Sequence, residues 1–75
     1  MRVLITEDCD GSLRVVEVSS AGFDPAEHKL WIKEASSNLT WTTDMGVYEA
    51  EAIIKVLYRE GRYDLKDSRF EVIIA

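Results

Sequence analysis

Apolar residues recur at helical spacing in one long stretch of the chain, residues 44–61, DMGVYEAEAIIKVLYREG. At 100° per residue, Val47, Ala50, Ile54, Leu57 and Tyr58 share one face and Ile53 sits at its edge. The pattern predicts a helix over about residues 44–60. Asp44 is placed to accept hydrogen bonds from the free N–H groups of a first turn, and Gly46 followed by Glu49 offers a second start. Gly61 suits the left-handed residue beyond the end. Lys55, Arg59 and Arg62 stand near the C-terminus, where the helix dipole favours cations, and Glu51 precedes Lys55 by the spacing of an ion pair. On the back of the helix, Tyr48, Ala52 and Val56 form a narrower stripe at i, i+4 and i+8. It is a candidate contact patch edged by Glu49, Lys55 and Arg59, with incidental surface apolarity as the plainer account.

Ahead of the helix the period shortens to two. Residues 2–7 (RVLITE) and 13–19 (LRVVEVS) read as strands, and the Asp-Cys-Asp-Gly-Ser turn between them makes a hairpin. The unbroken Val3-Leu4-Ile5 implies apolar contact on both sides of its strand. Residues 19–24 have the composition of a loop. Asp24-Pro25-Ala26-Glu27 has the form of a helix start, so a helix over 25–35 is one reading. The apolar residues that follow scatter round a helical wheel, whereas in a strand Leu30 and Ile32 share one face and Trp31, Lys33 and Ala35 the other. The chosen expectation is one helical turn near Pro25 and a strand over 29–35. Ser36-Ser37-Asn38 is a turn, and 39–43 is a short strand with Leu39 and Trp41 on one side. Residues 62–68 read as a polar connection, and 69–75 as a last strand in which Phe70, Val72 and Ile74 alternate with Glu71 and Ile73.

The expected fold is α+β: one domain over residues 1–75, with a small, mainly antiparallel sheet in β-β-β-β-α-β order and one helix packed on one face. A single helix leaves the opposite face bare. Leu4, Trp31, Ile73 and some valines of the second strand compete for it, and that much apolar surface implies a dimer or a bound partner.

Charge narrows the kind of partner. The net charge is −5. Residues 1–28 carry six acids (Glu7, Asp8, Asp10, Glu17, Asp24, Glu27) against Arg2 and Arg14, a balance of −4, while residues 29–75 carry eight acids against seven bases. Direct nucleic-acid binding needs a basic stripe, which this sequence lacks. An acidic region steers instead towards a basic surface on another protein. At 75 residues, 47% of them hydrophobic and 31% charged, the composition is that of a small soluble globular domain. No stretch approaches the ~20 apolar residues of a membrane span, and MRVLITED lacks the shape of a signal peptide. Cys9 has no partner for an internal disulfide, which points to a reducing cytoplasm.

Residues capable of chemistry are present but not arranged for it. His28 is the single histidine and has no nucleophile at a catalytic spacing. Acids surround Cys9 and disfavour its thiolate. The Asp8–Ser12 cluster starts like a calcium loop, but Ser19 stands where the bidentate Glu belongs. One Cys and one His cannot complete a structural zinc site, and no Gly-rich phosphate loop exists. Trp31 and Trp41 fit core or cross-strand packing better than base stacking.

The expected function is therefore that of a small acidic protein-binding module, not an enzyme, with no cofactor. It suits an inhibitor of the phage or mobile-element type, aimed at a host nucleic-acid-handling protein. A structural, homodimerising domain is the alternative. The candidate partner-binding residues are Asp8, Asp10, Glu17, Trp31, Tyr48, Ala52 and Val56.

Overall fold

The computed structural model describes residues 2–7, 11–65 and 70–74, the last three by their backbone. Six strands and one helix follow one another along the chain. They are β1 (Arg2–Glu7), β2 (Leu13–Asp24), β3 (Lys29–Glu34), β4 (Leu39–Asp44), α1 (Val47–Glu60), β5 (Arg62–Leu65) and β6 (Glu71–Ile74). They form one sheet in the order β5-β1-β2-β3-β4-β6. Every pairing is antiparallel except that of β1 with β5. The α+β architecture, a mainly antiparallel sheet with one helix on it, is the one the hydrophobic pattern implies.

Several expectations are settled or corrected by the structure. Residues 62–68, read as a polar connection, contain β5. There Gly61 reverses the chain and Tyr63 and Leu65 alternate towards the core, pairing with Leu4 and Thr6. Residues 19–24, read as a loop, extend β2 to Asp24. Two serines and a glycine give this segment poor strand propensity, but ladder pairing to β3 and burial of Ala21 and Phe23 against the core override it. The single turn expected near Pro25 is present and leads into β3, with no helix over 25–35. The helix begins at Val47 with Gly46 as its cap, the second of the two starts the sequence offers, while Asp44 ends β4 opposite Lys29.

Long β2 holds the sheet together by changing partners. Its first half pairs with β1 up to Val18, opposite Arg2; its second half pairs with β3, with a bulge between Val18 and Ser20. Among the described residues no strand pairs with β2 on that side past Arg2. The Ala21 N–H there donates to the Tyr58 hydroxyl of α1 at 3.1 Å.

The side of the sheet facing α1 carries Leu4, Val16, Val18, Leu30, Ile32, Trp41 and Leu65, closed from above by Ala50, Ile53 and Leu57. Leu4 thus lies in the core and not on the bare face. The buried helix face is rotated by roughly 60° from the expected one, or a little over half a residue step. Ile53, expected at the edge, is central; Ile54 is half-buried, and Val47 and Tyr58 reach solvent. Tyr58 accounts for this phase. It stands at the border of the sheet, accepting from Ala21 and lying 4.1 Å below the Arg2 guanidinium, a cation–π contact.

Truncating the buried helix positions tests the phase. Ile53→Ala and Leu57→Ala each cost about 2–5 kcal/mol, and Ile54→Ala roughly half as much. Urea melts in which Ile54→Ala is the most damaging of the three would restore the unrotated face. Gly61 has φ 76° and donates its N–H to the Leu57 carbonyl at 2.9 Å. Gly61→Ala therefore lowers the urea midpoint by an amount equivalent to about 1 kcal/mol.

Candidate functional site

The sheet face turned away from α1 is built from alternate residues of the same strands. On the β1–β2 hairpin, Val3 and Ile5 pair with Glu17 and Val15, and Leu13 pairs with Glu7. Leu13 and Val15 are each 63% exposed, and Val3 and Ile5 are half-buried beside them. Leu13 and Val15 make the hairpin an exposed apolar surface, and the acids Glu7 and Glu17 belong to the same alternation. On the neighbouring edge strand β5, Asp64 accepts a bond from Arg62 at 3.2 Å.

The other half of this face is polar around one aromatic ring. Cross-strand rows run Asp24–Lys29–Asp44 and Gly22–Trp31–Thr42–Glu71. Trp31 lies flat over Gly22, where an added Cβ would meet its indole atoms at 2.5 to 2.9 Å. Lys29 Nζ turns towards β4 and β6, 3.4 Å from Asp44 and 4.0 Å from Glu71. Asp24, Glu27, Lys29, Trp31, Thr40 and Thr42 line a groove of about 370 Å³. Asp24 keeps the local role that its sequence context suggests. Its Oδ1 accepts from the N–H groups of Ala26 at 3.0 Å and Glu27 at 3.4 Å, closing a turn and not a helix. His28 completes that turn at φ 53°, exposed, and its carbonyl accepts the Met45 N–H.

Of the residues singled out from the sequence, Glu17 and Trp31 fall on this open face, at its apolar and polar halves. Asp8 and Asp10 lie outside the described residues, as does Cys9. Tyr48, 85% exposed, Ala52, exposed, and Val56, half-buried, are on the helix, on the other side of the sheet. Tyr48 and Ala52 border a shallow surface groove of about 560 Å³ together with Glu51, Ile54 and Lys55. Val56 is not part of it, and the rotated helix phase brings Ile54 in instead. Ile73, expected on the bare face, has a paired backbone opposite Thr40. Asp24, Glu27, Lys29 and Thr42 were missed as a group. Their proximity arises from pairings between β2, β3 and β4 that the loop reading of 19–24 had removed.

Among the described residues, no group of three or more His, Cys, Asp or Glu side chains is placed to hold a metal ion. No described helix is long and apolar enough to cross a membrane. The chain matches no family model, no curated protein and no solved structure.

Proposed function

We propose that this chain is a protein-binding module whose open sheet face docks on a partner with a basic surface, in the manner of an inhibitor or adaptor and without catalysis. The observation that carries the reading is the exposure of Leu13 and Val15 on the hairpin, in an acidic chain of net charge −5. Removing those side chains from water supplies affinity, and the surrounding acids supply orientation and approach rate. A protein whose basic groove handles nucleic acid offers the complementary surface. A small phage-type or mobile-element-type inhibitor is the kind of protein that uses it, and a reducing cytoplasm is the compartment that suits a lone cysteine.

Homodimerisation through the same face is the second reading, favoured by the same two exposed residues. Acids on the face repel their copies across an isologous contact, which places this reading behind the first.

Affinity capture from lysate at graded salt, with wild type and with Leu13→Ser/Val15→Ser, tests the proposal. The expected result is a stoichiometric partner held at low salt, released at high salt and lost from the double variant, whose thermal stability stays near wild type. Wild-type capture by the double variant removes the open face as the docking surface. Sedimentation equilibrium at twice the 8.5 kDa chain mass, with no captured partner, favours the homodimer.

Kinetics on the captured partner separate steering from contact. Asp8→Lys/Asp10→Lys/Glu17→Lys slows association about tenfold at low salt and flattens its salt dependence. Unchanged association removes the steering role. Tyr48→Ala, on the other side of the sheet, leaves dissociation unchanged; faster dissociation moves the contact to the helix groove.

A further inference from the structure

The Trp31 groove combines three features that are independent of the apolar hairpin. Its floor is an indole face, half-buried and held flat because Gly22 has no side chain beneath it. Its rim is acidic. Asp24 and Glu27 line it, and Asp44 and Glu71 stand in the adjoining rows, against Lys29 and Lys33. Lys29 is drawn towards Asp44 and Glu71, and among the described residues no base pairs with Asp24 or Glu27. The third feature is Thr42, 6% exposed, which lines the groove and whose Oγ1 is buried with no hydrogen-bond partner. A buried hydroxyl of this kind, able both to donate and to accept, is costly to leave unmatched.

We infer that this groove is a receptor for a guanidinium group, supplied by an arginine side chain of the basic partner. The inference rests on the protein-binding reading above and adds the residue that the partner inserts. A guanidinium is planar, so it stacks on the indole face while its edge points N–H groups at carboxylates. Five donors in a fixed fork are enough to serve Glu27 and Asp24 together and leave N–H groups over the Thr42 wall of the groove. An ammonium has no plane to stack and is more strongly hydrated, so lysine is the poorer fit. A purely apolar side chain would cover the indole but leave the rim acids and the threonine hydroxyl without donors.

The direct test uses N-acetyl-arginine amide as probe, its neutral isostere N-acetyl-citrulline amide as control, and the Trp31 indole N–H resonance as readout. Trp31→Phe assigns that resonance against Trp41. Saturable shifts with the arginine probe, with Kd on the order of millimolar, are expected, and citrulline should give none. Glu27→Gln should weaken binding ~5-fold, and Thr42→Val should weaken it with the fold intact by circular dichroism. Gly22→Ala, which lifts the indole off the strand, should abolish the response without touching either carboxylate. Equal shifts from arginine and citrulline, or none from either, overturn the inference, as does an indole shift that follows protein concentration alone and so reports a second copy.

The captured partner separates this outcome from the parent reading. If Glu27→Gln and Gly22→Ala bind it with wild-type kinetics while Leu13→Ser/Val15→Ser does not, the groove is excluded and the hairpin surface stands. Loss of binding in both sets supports the two together.

Discussion

The change of partner along β2 is the constraint on which the rest of the molecule depends. β2 pairs with β1 up to Val18 and with β3 from Val18 onward, across a bulge between Val18 and Ser20, so one twelve-residue strand belongs to two ladders that meet at Val18. A bulge bends the strand and increases its twist, which turns the β3–β4 half of the sheet relative to the β1–β5 half. Where β1 no longer runs alongside, a backbone donor would be stranded. The Tyr58 hydroxyl accepts it, and that one bond ties the rotation of the helix to the geometry of the bulge. The buried helix positions Ala50, Ile53 and Leu57 are compatible with Tyr58 at that border.

The two faces of the sheet consequently follow different rules. The helix side is a dry layer of branched aliphatic residues with Trp41, and even there Trp41 Nε1 is left without a hydrogen-bond partner. The Arg14 guanidinium, 5.1 Å from the Trp41 ring centroid, contacts the ring face and leaves that N–H as it is. The open side is divided. Its hairpin half is apolar with acids interspersed, and its β2–β3–β4 half is an aromatic plate among charges. A single interface using both halves would combine area with orientation, which neither half supplies alone.

Much of this was legible in the residues because periodicity and end signals act locally. The first four strands begin where the sequence reads them to begin, at residues 2, 13, 29 and 39, and Gly61 ends the helix as its conformation requires. What was not legible depends on contacts distant in sequence. Ser19–Asp24 has loop composition and becomes a strand because β3 pairs with it, and Arg62–Leu65 is polar at alternate positions because it is an edge strand with one buried side. The helix phase failed for the same reason: a wheel ranks hydrophobicity, and Tyr58 was drawn to the border by a hydrogen bond 37 residues away along the chain. At the site, the exposed face was foreseeable from the count of helices. The groove was not, since its members meet only through register.

The parallel pairing of β1 with β5 sets the order in which this sheet can assemble. β1 to β4 are successive antiparallel neighbours joined by short connections, so each pairing closes a small loop. Val3 meets Arg62 only after the intervening chain has been brought round, and the Val3 N–H to Gly61 carbonyl bond at 2.9 Å joins that edge directly to the helix end. Loop-closure entropy makes such a contact slow to form and dependent on earlier structure. The four-stranded meander is built from near-neighbour pairings, whereas the helix and β5 close the core through contacts distant along the chain. Either face of the meander taken alone would be bare, and it is the packing of α1 on one of them that makes the other the outside of the protein.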